Sequence, residues 1–254
     1  MLLFLDAIPY ITIFIFGITI GSFLNVCIYR LPLGESVVTA PSHCMTCGRK
    51  LRWYDMVPVF SWLVLGGKCR NCKSEISVQY PIIEGVNGIL YVVIFAVNGL
   101  VWSSVIYCLM ASALLVLSVI DWRTYEIPFG INVFLFVLGV VMAVLDRGNL
   151  VEHLIGMVCV SGALEVLYLV SGGGAIGGGD IKLMFACGLL LGWKLILLAF
   201  FLGCIIGSVV HIVRMVTKKA GRVLAMGPYL SAGILLAALW GNAWINWYLS
   251  LLGV

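Results

Sequence analysis

Charge is what this chain has least of. Only 10% of its 254 residues are Asp, Glu, Lys or Arg, against 63% hydrophobic. A soluble domain carries about a quarter charged residues, and no soluble fold of this length hides so much apolar surface. A solvated globular body is thereby excluded, and the bilayer becomes the solvent for most of the chain. The formal net charge of +4 is small. No basic patch large enough for nucleic acid exists outside residues 30–79, so no nucleic-acid partner is expected. Internal repeats are also lacking. The N-terminal run to Phe23 has no basic n-region and no small-residue cleavage site, with Asp6 the single charge before Arg30. It reads as a retained first span, not a removable signal.

What is abundant is long apolar runs. A crossing helix needs about 20 mostly apolar residues. Runs of that kind fall at about 7–29, 81–99, 102–121, 127–145, 151–170, 180–193, 195–214 and 226–252. The expected fold is therefore an all-α polytopic membrane protein of about eight transmembrane helices. The run 180–193 is the shortest, and it reads as either a short span or a re-entrant segment. Positive residues near span ends prefer the cytoplasm. With eight crossings and an outer N-terminus, the inner loops gather Arg30, Arg49, Lys50, Arg52, Lys68, Arg70, Lys73, Arg123, Arg214, Lys218, Lys219 and Arg222, while the outer loops hold Arg147 and Lys194. That bias argues for a crossing at 180–193. The domain order that follows is a first helix at 1–29, a polar cytoplasmic segment at 30–80, and a body of seven helices at 81–254.

Local punctuation agrees. Pro128 suits the first turn of a helix, where a missing N–H does no harm. Residues 146–149, Asp-Arg-Gly-Asn, read as an outer turn. The stretch from Ser171 to Gly179 contains six glycines, too many for a helix interior. It reads as a mobile loop leading to Asp180.

Acidic residues at membrane depth are expensive and are functional candidates by default. Those in or beside the spans are Glu84, Asp121, Glu126, Glu152, Glu165 and Asp180. Asp121 ends the third span and Asp180 begins the sixth, so both reach the same inner edge of the bilayer. Two carboxyls side by side share a proton, and such a pair can activate water with one member while the other protonates the peptide carbonyl. A helix N-terminus suits a negative charge and a C-terminus does not. Asp180 is accordingly expected as base and Asp121 as acid, within a coupled pair. The bland reading is two interfacial aspartates capping helices.

The surrounding residues separate these readings. Asp121 is followed six residues on by Ile127-Pro128, and Asp180 lies in Gly177-Gly178-Gly179-Asp180-Ile181-Lys182. Both patterns resemble the bacterial type IV prepilin peptidases, a family of Gly-x-Gly-Asp membrane aspartic proteases. Gly21-Ser22-Phe23-Leu24-Asn25-Val26 and Arg30-Leu31-Pro32 are similar to that family's entry into its cytoplasmic domain. Met226-Gly227-Pro228-Tyr229-Leu230 looks like its Phe-Gly-Pro-Phe-Leu element, with Met and Tyr for the two Phe. The resemblance covers nearly the whole chain. It implies catalysis by Asp121 and Asp180, supported by Gly177, Gly179, Lys182 and Pro128. The substrates it implies are prepilins or pseudopilins, cleaved just after a glycine that ends a short basic leader.

The polar segment holds Cys44-x-x-Cys47 and Cys69-x-x-Cys72, with 21 residues between the pairs. This is close to zinc-ribbon spacing. The reducing cytoplasm disfavours disulfides, the bland alternative. A small zinc-ribbon-like domain between the first two helices is expected, folded largely by its metal. Gly48 suits a knuckle turn. His43 beside Cys44 reads as a solvated loop residue. Cys27, Cys108, Cys159, Cys187 and Cys204 lie in apolar runs, where cysteine acts as a small hydrophobe.

Some family members lack the two cysteine pairs, so the metal is not the protease's chemistry. The resemblance further implies methylation of the new N-terminus with S-adenosylmethionine. No methyl-donor pocket can be read from spacing. The candidates are Gly67, in the Gly66-Gly67-Lys68 loop, and Glu84, in a Tyr80-Pro81-x-x-Glu84 element like the family's. Basic residues here also suit acidic lipid headgroups. Glu165 reads as a neutral or hydrogen-bonded helix contact, and Trp240, Trp244 and Trp247 as an interfacial belt. Two other classes remain: a transporter using Asp121, Glu165 and Asp180 as a proton or ion path, and a zinc-bearing scaffold without catalysis. Oligomeric state is not legible.

Overall fold

The computed structural model describes residues 2–38, 41–174, 176–217 and 224–253, without side-chain detail for 2–6. Lys218, Lys219 and Arg222, used above to orient the last spans, lie outside the described residues, as does Ala175 of the glycine-rich loop. The described residues are helical apart from short turns and two isolated antiparallel bridges. In chain order the helices are α1 (Leu2–Arg30), α2 (Phe60–Val64), α3 (Gln79–Asn98), α4 (Trp102–Thr124), α5 (Phe129–Leu145), α6 (Leu150–Val170), α7 (Gly178–Leu191), α8 (Trp193–Val216) and α9 (Gly227–Leu251). Eight of these are long, and six are both long and apolar enough to cross a membrane by length and composition. The other two are α5, with 17 residues, and α7, with 14. The protein is a multi-pass membrane protein.

The helix ends obey local chemistry. Pro128 is the N-cap of α5, and Gly99, at φ 79°, closes α3. Gly192, also at φ 79°, is both the end of α7 and the start of α8; only glycine takes such a turn without strain. Helix α7 begins at Gly178, two residues earlier than the apolar run suggests. Glycines are tolerated there because the N–H groups of a first turn have no intrahelical acceptors, whatever the side chains.

The chain divides into two compact units, residues 1–104 and 105–254. In the first, α1 packs on α3 through glycines. A Cβ at Gly17 would stand 2.7 Å from Cα of Gly88, so the two backbones touch. The Asn87 amide donates to the carbonyl of Gly17 at 2.7 Å, and the Asn25 amide to that of Tyr80 at 3.2 Å. Such interhelical bonds satisfy polar groups that lipid cannot.

In the second unit, α7 is enclosed almost all round, with nine buried residues among its 14. An apolar helix without a polar face belongs inside a bundle. Gly188 of α7 meets Gly156 of α6 backbone to backbone. Phe185 of α7 stacks on Phe136 of α5 with centroids 5.8 Å apart. His153 of α6 ties down the far end of α7 through a 2.8 Å bond with the carbonyl of Leu189. Gly233 of α9 lies against the carbonyl of Ala199 in α8.

Candidate active site and metal centre

Asp121 sits in the last turn of α4 and Asp180 in the first turn of α7. Asp121 is buried and Asp180 is half-buried. The sequence motifs around them meet. A Cβ on Gly179 would stand 3.0 Å from Cβ of Ile127, so the residue before Asp180 packs against the Ile-Pro that follows Asp121. Gly177 is the N-cap of α7, and a Cβ there would be 3.2 Å from Oδ2 of Asp180. Pro128 starts α5 directly after Ile127. Lys182 points elsewhere: its ammonium lies 5.6 Å from the ring centre of Phe129.

A further residue joins the pair. The backbone N–H of Gly227 donates to Oδ2 of Asp121 at 2.8 Å, across 106 positions of sequence. Gly227 is the first residue of α9, followed by Pro228. Its N–H is one of the donors that a helix start leaves without a partner. A Cβ there would stand 2.6 Å from Oδ2 of Asp121, so glycine is required for the approach. The motif around Gly227 is visible in the sequence, but its contact with Asp121 is not. Asn132, one turn into α5, is also buried, and both its amide atoms lack partners among the described residues. Its only sequence signal is a polar side chain inside an apolar run.

Glu165 is the acid expected as a helix contact. It is exposed on α6 and lines a cavity of about 310 Å³ with Val158, Ser161, Gly162, Ile181, Lys182 and Phe185. On α7, Lys182 and Phe185 lie round the helix from Asp180, because about 100° separates successive residues. Glu165 thus faces the outer side of α7, which gives the transport reading no continuous line of acids.

The four cysteines of the polar segment converge. Their sulfur atoms all lie within 4.8 Å of one another, and those of Cys44 and Cys72 are 3.8 Å apart. Four thiolates at about 2.3 Å from a tetrahedral ion would be about 3.8 Å apart, so the cluster fits a metal ion. Two matching turns build it. The N–H of Cys44 donates to the carbonyl of Arg49, and that of Gly48 to Cys44; likewise Cys69 to Ser74 and Lys73 to Cys69. Gly48 and Lys73 occupy equivalent left-handed positions, at φ 67° and 60°. Backbone N–H groups of Cys47 and Thr46 pull the Cys44 thiol down to about 6. The Ser74 hydroxyl and its backbone N–H lower Cys72. Both effects favour the thiolate, the form that binds metal. His43 stays outside the cluster, its Nδ1 3.3 Å from the carbonyl of Pro41.

Gly67 and Glu84 are placed by packing. Gly67, at φ 69°, lies against the indole of Trp62, where a Cβ would be 2.9 Å from the ring. Glu84 is buried in α3, and its Oε2 accepts the N–H of Val59 at 2.7 Å.

A helical membrane body in which two aspartate-bearing motifs pack together, joined to a four-cysteine segment, is the class these features define, and comparison with known proteins agrees. Residues 15–98 match the model described as Bacterial Peptidase A24 N-terminal domain, and residues 108–212 match the Type IV leader peptidase family. The prepilin leader peptidase/N-methyltransferase of Bacillus subtilis is 30% identical over 94% of this chain and 97% of its own length. The protein of that name from Stutzerimonas stutzeri is 31% identical over 90% of this chain and 89% of its own. One from Myxococcus xanthus is 33% identical over 82% of this chain, which spans 64% of that relative's length. No solved structure matches the chain. The chain belongs to the prepilin leader peptidase/N-methyltransferase family.

Proposed function

We propose that this protein cleaves the short basic leader from prepilins or pseudopilins and methylates the new N-terminus. Asp121 and Asp180 are the catalytic pair. The observation that supports the reading is the packing of one family motif on the other, with Gly179 before Asp180 set against Ile127 after Asp121.

The Gly227 bond supports the opposite assignment to the one expected from helix ends. Its N–H donates to Oδ2 of Asp121, which favours the ionised form of that carboxyl. A helix-start donor suits a charged partner. Asp121 then takes a proton from water, and Asp180 supplies the shared proton to the scissile carbonyl. On collapse of the tetrahedral diol the amine leaves with the proton from Asp121 while Asp180 takes back a hydroxyl proton, which restores the pair. Gly177, Gly179 and Pro128 support the geometry by fixing the start of α7 and its approach to Ile127, and Lys182 anchors the outer side of that turn on Phe129.

The four-cysteine segment holds zinc as a structural ion, with Cys44, Cys47, Cys69 and Cys72 as its ligands. S-adenosylmethionine supplies the methyl group, as the names of the relatives imply. Gly67 and Glu84 shape the segment around that chemistry: Gly67 by close packing on Trp62, Glu84 by holding Val59. The protein works in the bacterial cytoplasmic membrane, with both aspartates and the cysteine cluster on the cytoplasmic side, where the basic loops gather. The domain order is a first helix at 1–29, the metal-binding segment at 30–80 and a protease body at 81–254.

The test is leader removal from a full-length prepilin in reconstituted membranes. Wild type should cleave, and Asp121→Asn and Asp180→Asn should each lose at least about 1,000-fold, as expected when one member of a cooperating pair is removed. Full-rate cleavage by either variant would end the assignment.

A further inference from the structure

We propose that residues 53–65 form a wedge seated in the bilayer interface, among the headgroups and upper acyl chains of anionic phospholipids. The depth of the wedge is set by one hydrogen bond. Val59 donates its N–H to Glu84 Oε2 at 2.7 Å. Glu84 is the sixth residue of α3, whose apolar span begins at Gln79. At about 1.5 Å per residue, that is about 8 Å along the helix from its start. The rings of Tyr29 and Tyr80 stack at this same end, 5.7 Å apart, as aromatic residues do at a membrane boundary. Val59 is thus tied to a point deeper along α3 than the tyrosine pair.

The backbone at Val59 is strained to reach it. Its φ is 61° and ψ −53°, and the N–H of Phe60 donates to the carbonyl of Pro58 at 2.6 Å. This is the rarer, positive-φ γ-turn, an outlier for a β-branched residue. The turn launches α2. Trp62 points back into its own segment, with its indole N–H on the carbonyl of Ile76 at 3.1 Å. Phe60, Leu63 and Val64 point away and are 62%, 60% and 81% exposed. At the depth that Glu84 fixes, these side chains meet acyl chains instead of water. Trp53, 77% exposed, has the amphipathic ring that favours the headgroup level.

Charge selects the lipid. Residues 41–78 carry six basic side chains and two acidic ones. Arg52 and Arg70 both lie over the ring of Tyr54, next to Trp53. An apolar edge rimmed by basic groups is the chemistry of binding to an anionic interface.

The experiment uses the full chain in liposomes containing a phospholipid with a photoactivatable diazirine high on its acyl chain. After illumination, peptides are mapped by mass spectrometry. Labelling of the peptide spanning Phe60–Val64 is expected, and it should rise at least about threefold when phosphatidylglycerol replaces phosphatidylcholine. Val64→Glu should cut that labelling while label on α8 and α9 persists. The wild-type map stands by itself if the variant misfolds. Label confined to the long helices overturns the proposal. So does a photocrosslinker at Leu63 that captures a prepilin or a second copy of the chain instead of lipid. Leader cleavage is not read, so the outcome is independent of the proposed function.

Discussion

A Cβ at Gly227 would lie 2.6 Å from Oδ2 of Asp121 and 2.9 Å from Cδ2 of Leu117. Gly227→Ala must therefore push the start of α9 away and lengthen the N–H bond to Asp121. Cleavage is expected to fall at least about tenfold, equivalent to about 1.4 kcal/mol of transition-state stabilisation, while the protein still folds and extracts as wild type. Rate constants for leader removal check this, and an unchanged rate would separate Gly227 from the chemistry. At Lys73 the expected sign is opposite. Its left-handed backbone matches that of Gly48 in the twin turn, so Lys73→Gly should stabilise the metal-binding segment by about 1 kcal/mol. A competition titration with a zinc chelator reads the difference. The two aspartates stand out in the sequence as candidates because few acids sit at membrane depth and each lies in a distinctive motif. The Gly227 contact is not, because it depends on where α9 begins relative to α4, and no local pattern encodes that.

At the scale of elements, the cysteine-bearing segment shows what spacing reveals and what it leaves out. The two Cys-x-x-Cys pairs disclose a four-cysteine cluster that could hold a metal ion; they do not disclose the γ-turn at Val59 or its bond to Glu84, which tie the segment to α3. Stripping the metal should melt the two knuckle turns, leaving the long helices intact. Loss of hydrogen-exchange protection in 42–76 alone, restored by zinc, is the expected result, and protection unchanged by chelation would remove the structural role. The pH dependence follows from Cys44. Its thiol is held below the ordinary thiol range, at about 6, mainly by the Cys47 and Thr46 N–H groups. A depressed value stabilises the fold where the thiolate forms, and that contribution is lost as pH falls through about 6. Metal affinity should accordingly weaken as pH falls through about 6, read by chelator competition across a pH series. An affinity that is already lost in the ordinary thiol range would show that the turn does not hold Cys44 as a thiolate. Boundaries are less legible than elements. The apolar run places the start of α7 at residue 180 because glycine argues against helix interiors, yet the helix starts at Gly178; a first turn is not an interior.

For the whole chain, the two compact units part between Ser104 and Val105, and the two family models fall on either side of that point. The second unit contains an anomaly of length. Helix α7 has 14 residues and α5 has 17, about 21 Å and 25 Å long at about 1.5 Å per residue. The hydrocarbon core of a bilayer is about 30 Å thick. These two helices pack on each other through Phe136 and Phe185, and α7 carries Asp180 in its first turn. Helix α5, whose outer face is exposed, makes the bilayer thin beside it or lets water reach the end of the enclosed α7, at fractions of a kcal/mol per Å of mismatch. Thinning is useful here, because hydrolysis needs water at Asp121 and Asp180 and a substrate helix unwound at the membrane edge. Cleavage should then depend on lipid length. In bilayers of short-chain monounsaturated phosphatidylcholine the rate constant should exceed that in long-chain bilayers by about fivefold, corresponding to about 1 kcal/mol of mismatch energy. The dependence should appear in kcat for saturating prepilin, since the strain acts on the site and not on encounter. A rate that stays flat across the chain-length series would mean that α5 and α7 are accommodated by protein neighbours, and that water reaches the aspartates without help from the bilayer.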